Sequence, residues 1–181
     1  MMVPAITGYY NRLPRMAAFM FWGDQRVLTA ACATNEAEYY AERGFSAGSL
    51  HKLLVHTMAG QWAWLSRWKR LDIRRLEDAT DYSTRESLLN RWPQVHHDFS
   101  EFLAAQTETT LAEPLTYHNT RGDQFTLPLG ELILHCLDHG TYHRGQVNSL
   151  IKLAGGTPVA VNYFQFSLDY PPQTESLRIS H

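Results

Sequence analysis

The chain has 181 residues, 44% of them hydrophobic, and its 16 basic and 18 acidic side chains leave a formal net charge of -2. That length and composition support one domain with an ordinary core, its body between about residues 14 and 158, and require no second domain. The near balance of charge lacks the basic footprint of a general nucleic-acid binder, so no DNA or RNA partner is expected.

From the N-terminus, the apolar opening stretch is interrupted by Asn11, Arg12, Pro14 and Arg15 and has no small-residue cleavage site, which reads as no export signal. No apolar run approaches the roughly 20 residues that cross a bilayer, so no membrane contact is expected. Cys32 and Cys136 are too few for a disulfide framework and suit a reducing compartment. A soluble, cytoplasmic protein follows as the expectation.

Four stretches place apolar residues at helical spacing between segments rich in Gly, Pro, Asp and Thr. The first is expected from about Pro14 to Cys32, with room for a shorter piece before it. Its apolar side is formed by Met16, Phe19, Met20, Val27, Leu28 and Ala31. The second follows Gly44, with Ser46 or Ser49 as N-cap, and runs through Leu50, Leu53, Leu54, Met58, Leu65 and Trp68 to near Arg70. The third opens at Ser83 or Thr84 and carries Leu88, Leu89, Trp92, Val95, Phe99 and Phe102, with Pro93 expected to kink it unless the helix begins later.

Between Thr107 and Pro128 the pattern shortens to Leu115 to His118 and Gln124 to Leu127 around Arg121-Gly122-Asp123, which reads as a β-hairpin. The triplet is a turn rather than an adhesion motif. The fourth helix is expected from about Leu129 to Ala154, ended by Gly155-Gly156 with Pro158 beyond. The tail, 159–181, reads as loosely structured. The expected fold is therefore all-α, a four-helix bundle with a short β-hairpin between helices three and four.

The fourth helix carries His135, His139 and His143 four residues apart. Each step of four turns the direction by only about 40°, so the three form one ridge whose neighbouring rings can share an ion. The arc includes Leu132 and Leu150 and borders Cys136 and Val147, while Arg144 is expected to point away from it. Partial burial keeps imidazole neutral and able to bind metal. Spacing alone does not separate metal ligation from hydrogen-bonded core histidines. In helix two, His56 flanks an apolar face and Gly60 leaves room one turn later, so His56 can complete a three-nitrogen site if helices two and four are neighbours.

The segments Leu54 to Leu65, containing His56-Thr57-Met58-Ala59-Gly60-Gln61-Trp62, and His135 to Gln146, containing His139-Gly140-Thr141-Tyr142-His143-Arg144-Gly145-Gln146, resemble the DinB/YfiT-like superfamily. This is the damage-inducible group of metal-dependent proteins, not the polymerase that shares the name. Trp22-Gly23-Asp24-Gln25-Arg26 in helix one is similar as well, with Asp24 at a position where the family usually carries asparagine. The likeness spans roughly Phe19 to Pro158. It implies a four-helix bundle, often dimeric, with a metal on His56, His139 and His143, and a relation to transferases and isomerases that activate a low-molecular-weight thiol. One departure follows the fourth helix, where Val161-Asn162-Tyr163 stands in place of the family's acidic residue.

Three neutral imidazoles leave an ion its full +2 charge and at least one open coordination position, as in catalytic zinc sites. Zinc or nickel is the expected divalent transition metal, with iron or manganese also compatible with imidazole. The nitrogen set disfavours magnesium and calcium. An open position would activate water or a thiol, which makes a thiol-dependent transferase or hydrolase of undetermined substrate the leading expectation and a low-molecular-weight thiol the expected small-molecule partner. No catalytic side chain is identified. Gln146 falls on the histidine arc and could contact a ligand or substrate, and Asp138 could orient a metal-bound histidine.

The resemblance uses only two ligands on helix four, which leaves His135 for packing, a dimer contact or a supporting role. Cys136 reads as a small buried hydrophobe, His96 and His97 as solvated, and Trp62, Trp64 and Trp68 as bundle packing. Two other readings stand beside the enzyme: a non-catalytic metal-binding stress-response homodimer, and a structural bundle in which the histidines form a core polar network.

Overall fold

Local chemistry sets most helix starts in the computed structural model, which describes residues 10–44, 48–71, 73, 75–119 and 121–172. The first helix, α1 (Leu13–Cys32), begins with Pro14 in its opening turn, where a missing N–H costs nothing. Asn35 caps α2 (Glu36–Tyr40) by accepting from the Ala37 amide. Ser49 does the same for α3 (Leu50–Trp68) at the Lys52 amide. Ser46, the other expected cap, lies outside the described residues.

Thr84 and Ser87 form a reciprocal capping box at the start of α4 (Arg85–Ala104). Helix α4 runs through Pro93, whose absent N–H leaves the Leu89 carbonyl without its intrahelical donor on a solvent-facing side. A second box, Thr107 with Thr110, starts α5 (Glu108–Ala112). The hairpin of β1 (Pro114–His118) and β2 (Gln124–Pro128) pairs antiparallel with Leu115 opposite Leu127 and Tyr117 opposite Phe125. Asn119 builds its turn by accepting from the Arg121 and Asp123 amides, and Gly122 takes φ 86°. The chain then enters α6 (Leu129–Leu153), which stops before Gly155 at φ 73°.

The fold is all-α with one two-stranded antiparallel sheet. Helix α1 packs against α4 and α6, and α3 packs against the same two, so the four long helices lie side by side. One apolar cluster gathers Val27, Leu54, Met58, Trp92, Val147 and Ile151. The other gathers Met20, Leu65, Phe99, Leu132, Ile133 and Leu137 beneath the hairpin residue Leu115. Each fully buried Leu, Ile or Phe in them contributes about 1.5–3 kcal/mol of transfer free energy. Among the described residues, no helix is long and apolar enough to cross a membrane.

The tail departs from the loose segment expected from residue 159. Asn162 caps a seventh helix, α7 (Tyr163–Asp169), by accepting from the Gln165 amide. Phe166 is buried against Phe19 and Trp22, and Arg15 donates to the Tyr163 hydroxyl at 3.0 Å. Aromatic packing onto α1, rather than an apolar period of its own, orders this segment. The last expected residues, 173–181, lie outside the described set.

Candidate metal centre

Helices α3 and α6 run alongside each other, which brings His56 to the histidine ridge. The Nε2 atoms of His139 and His143 are 3.0 Å apart, and the His56 ring lies 4.9 Å from His143 and 6.4 Å from His139, centre to centre. Donor atoms of all three fall within 4.8 Å of one another. The cluster grades from exposed His56 through half-buried His139 to His143 at 6% exposure, so it opens at the His56 side.

Gln146 accepts from Nδ1 of His143 at 2.7 Å and donates through its own amide nitrogen to the Tyr142 hydroxyl at 3.0 Å. A proton on Nδ1 leaves the Nε2 lone pair of His143 aimed at His139. Two such lone pairs 3.0 Å apart repel unless one nitrogen is protonated or both face a cation. Imidazoles sharing a tetrahedral ion at about 2.0–2.1 Å put their nitrogens roughly 3.3 Å apart, so the donor set and spacing fit an ion with small adjustment.

Burial, followed by the neighbouring histidines His143, His135 and His56, pushes the pKa of His139 down to about 4. Burial and then His143 lower that of His56. Burial lowers that of His143 as well, against the opposing pull of Gln146 and Asp24. All three are therefore neutral near pH 7, the form that ligates metal.

The other residues singled out in the sequence fall around this cluster. His135 is exposed, stacks on His139 with ring centres 5.8 Å apart, and meets Trp64 edge-on. A Cβ on Gly60 would sit 3.8 Å from Cε1 of His139, an ordinary contact, so the glycine widens the space beside the ring without being sterically required. Asp138 is exposed and, among the described residues, hydrogen-bonds to none of the histidines. Cys136 lies in the core with its thiol pushed up by burial, and then by the nearby Asp24 carboxylate. Trp68 is buried against Phe99 and Phe102, whereas Trp64 lies at the surface of the seam.

Two expectations are corrected here. Arg144 does not point away from the core: it is 1% exposed and donates to Oδ1 of Asp24, itself 0% exposed, at 3.0 Å. His96 is not solvated, because its Nε2 is 3.2 Å from Oδ2 of the same carboxylate. Gln61 donates to that oxygen at 2.7 Å and accepts from the Trp92 indole at 2.9 Å.

Four long helices thus meet in one polar network. Burial would raise the pKa of Asp24, but the hydrogen bond from His96, the charge of Arg144 and the Gln61 contact hold it below the usual carboxylate range. The pair was missed because α6 buries two adjacent stripes. One carries Leu132, Cys136 and His143, and the other carries Ile133, Leu137, Gly140, Arg144, Val147 and Ile151. The usable signal was Asp24 itself, set between Met20, Gly23 and Val27 on the core side of α1. A carboxylate there requires a partner.

A sequence profile of the DinB family matches residues 10–173. Protein DinB of Bacillus subtilis (strain 168) is 20% identical over 156 residues, covering 82% of this chain and 90% of that protein.

Proposed function

The chain belongs to the DinB family, and from that premise we propose that it is a metal-dependent enzyme holding a divalent transition ion, zinc or nickel before iron or manganese, on His56, His139 and His143. One observation carries the reading: three neutral imidazoles converge within 4.8 Å with no carboxylate among them, and the cluster opens to the surface. An ion held by three nitrogens supplies Lewis acidity at an open position, where a water or a low-molecular-weight thiol would be activated.

This chain's own residues do the rest. Gln146 fixes the tautomer and the ring plane of His143, as hydrogen-bonded partners of ligating histidines do. Beside His56 a cleft of about 400 Å³, walled by Val55, Leu76 and Ala79 and rimmed by Lys52, Glu77 and Asp78, has the size of a small-molecule site. The reaction class this supports is thiol-dependent group transfer or hydrolysis, in a cytoplasmic setting where such thiols stay reduced.

The test is metal analysis of untagged protein followed by cobalt substitution. One ion per chain is expected, falling below about one tenth when both His139 and His143 become alanine. Adding a small thiol should shift the cobalt absorption, with the thiol proton released to buffer. Protein that retains its metal after the double substitution sinks the ligand assignment. A cobalt spectrum indifferent to thiol favours the alternative, a non-catalytic metal-binding homodimer. For that alternative the exposed side chains Phe164 and Leu168 of α7 and Tyr170 just beyond it offer an apolar contact surface, and sedimentation would report the association.

A further inference from the structure

The seam between α3 and α6 continues beyond the histidines. On α3, His56, Gly60, Trp64 and Arg67 follow at steps of four, four and three and so share one face. On α6, His143, His139 and His135 run beside them in the opposite direction. Gly60 faces His139, and Trp64 meets His135 with ring centres 5.1 Å apart. At the far end the hairpin closes the seam, with Tyr117 5.1 Å from Trp64. From His56 to Arg67 is about 16 Å along the helix axis.

At that end the guanidinium of Arg67 lies over two rings, 4.8 Å from the centre of Trp64 and 5.6 Å from that of Tyr117. Among the described residues it makes no hydrogen bond and no ion pair. It lines a cleft of about 320 Å³ together with Arg70, Ile73, Tyr117, His118 and Asn119. Arg70 holds φ at 57°, the left-handed conformation that favours glycine after a helix end. Basic residues in a last helical turn complement the helix dipole, so charge alone decides nothing. The dipole does not account for a half-buried guanidinium set against two aromatic rings and, among the described residues, without a polar side-chain partner.

We propose that this cleft receives an oxyanion, a carboxylate or a phosphate, at the remote end of the molecule that reacts at the histidine cluster. The inference rests on the reading of that cluster as a metal centre. The planar fork of arginine matches both anions, and the rings on which it stacks hold it in place. The substrate is then an elongated organic anion whose reactive group and charged end are separated by most of the α3 seam.

A molecular ruler tests this. Cobalt-loaded full-length protein is titrated with mercaptopropionate, mercaptoundecanoate and the neutral mercaptoundecanol, reading the cobalt spectrum. The long acid should bind roughly tenfold or more tighter than the alcohol of equal length, while the short acid gains nothing from its charge. The advantage should vanish in Arg67→Gln and survive in part in Arg67→Lys. Equal affinity of acid and alcohol, or an advantage that persists in Arg67→Gln, overturns the proposal.

Metal-free protein supplies the independent arm. Benzoate, and not benzamide, should shift the Trp64 indole N–H resonance, assigned with Trp64→Phe, and Arg67→Gln should abolish the shift. If no thiol perturbs cobalt, the reading of the histidine cluster as an open, thiol-activating centre fails and the benzoate titration alone decides the cleft, with no preference for the anion counting against it. Arg67→Gln should stay folded and melt at most a few degrees lower, since among the described residues Arg67 has the two ring contacts and no polar partner to lose.

Discussion

His143 and Arg144 are neighbours on α6, yet they face two polar regions built on opposite terms. The histidine side gathers three uncharged donors that open to the surface at His56 and have no anion among them. The arginine side sets a cation against Asp24 and spends nearly every donor and acceptor on Gln61, Trp92, His96 and Thr141. A site meant to hold something added from solution keeps lone pairs unspent. A site that fixes four helices relative to one another keeps few, and there, among the described residues, only Nε of Arg144 is buried without a partner.

The comparison breaks most visibly at the closed side. Asp24→Ala leaves Arg144 buried without its anion and should cost about 3–5 kcal/mol, lowering the melting temperature by on the order of 10 °C. Urea denaturation followed by circular dichroism measures this, and a loss below about 1 kcal/mol would show that water or another group compensates the charge. On the open side, Gln146→Leu should leave the fold intact and weaken metal binding by about 10–100-fold. A chelator competition reads that number, and an unchanged affinity removes Gln146 from the site.

Gly23 sharpens the contrast through a change of sign. A Cβ there would lie 2.8 Å from Cδ and Nε of Arg144, so Gly23→Ala should cost about 1–3 kcal/mol of crowding, against about 1 kcal/mol gained in helix propensity. In an Asp24→Asn, Arg144→Ala background, which removes both crowding atoms, only the propensity remains, and the same alanine should stabilise. Matched denaturation curves decide it, and a loss of equal size in both backgrounds would assign the crowding elsewhere.

The remaining effect is in pH. The pKa of His139 is about 4 in the folded chain and about 6.5 when unfolded. The unfolded state therefore binds more protons across that window, and metal-free protein should lose stability as pH falls through it, with no change from this group above it. His139→Asn should flatten that part of the profile. A profile unaltered by the substitution would move the proton uptake to another group.

What the sequence revealed follows the range of the interactions involved. The ridge of His139 and His143 is written in a four-residue spacing on one helix, and the hairpin in two short strands around Asn119 to Asp123, so both were readable locally. His56 needed a second matching segment, because nothing on α3 alone says which helix it faces. Arg144 was misread because its charge outweighed its place between Gly140 and Val147, and His96 because its partner sits on another helix, 72 positions away. Helix α7 was missed because it is ordered by the aromatic side of α1 rather than by a pattern of its own.

The crossing of Arg144 over Gly23 also bears on descent. With the guanidinium in place, position 23 accepts no side chain without strain, and position 24 needs an oxygen that can accept from Arg144, so an apolar residue there alone would strand the cation. Lineages that exchange the ion pair for an apolar one would have to change 24 and 144 nearly together, and only afterwards would 23 be released. Among relatives, a residue other than glycine at 23 should accompany the absence of arginine at 144, while the histidine beside it varies on a separate schedule.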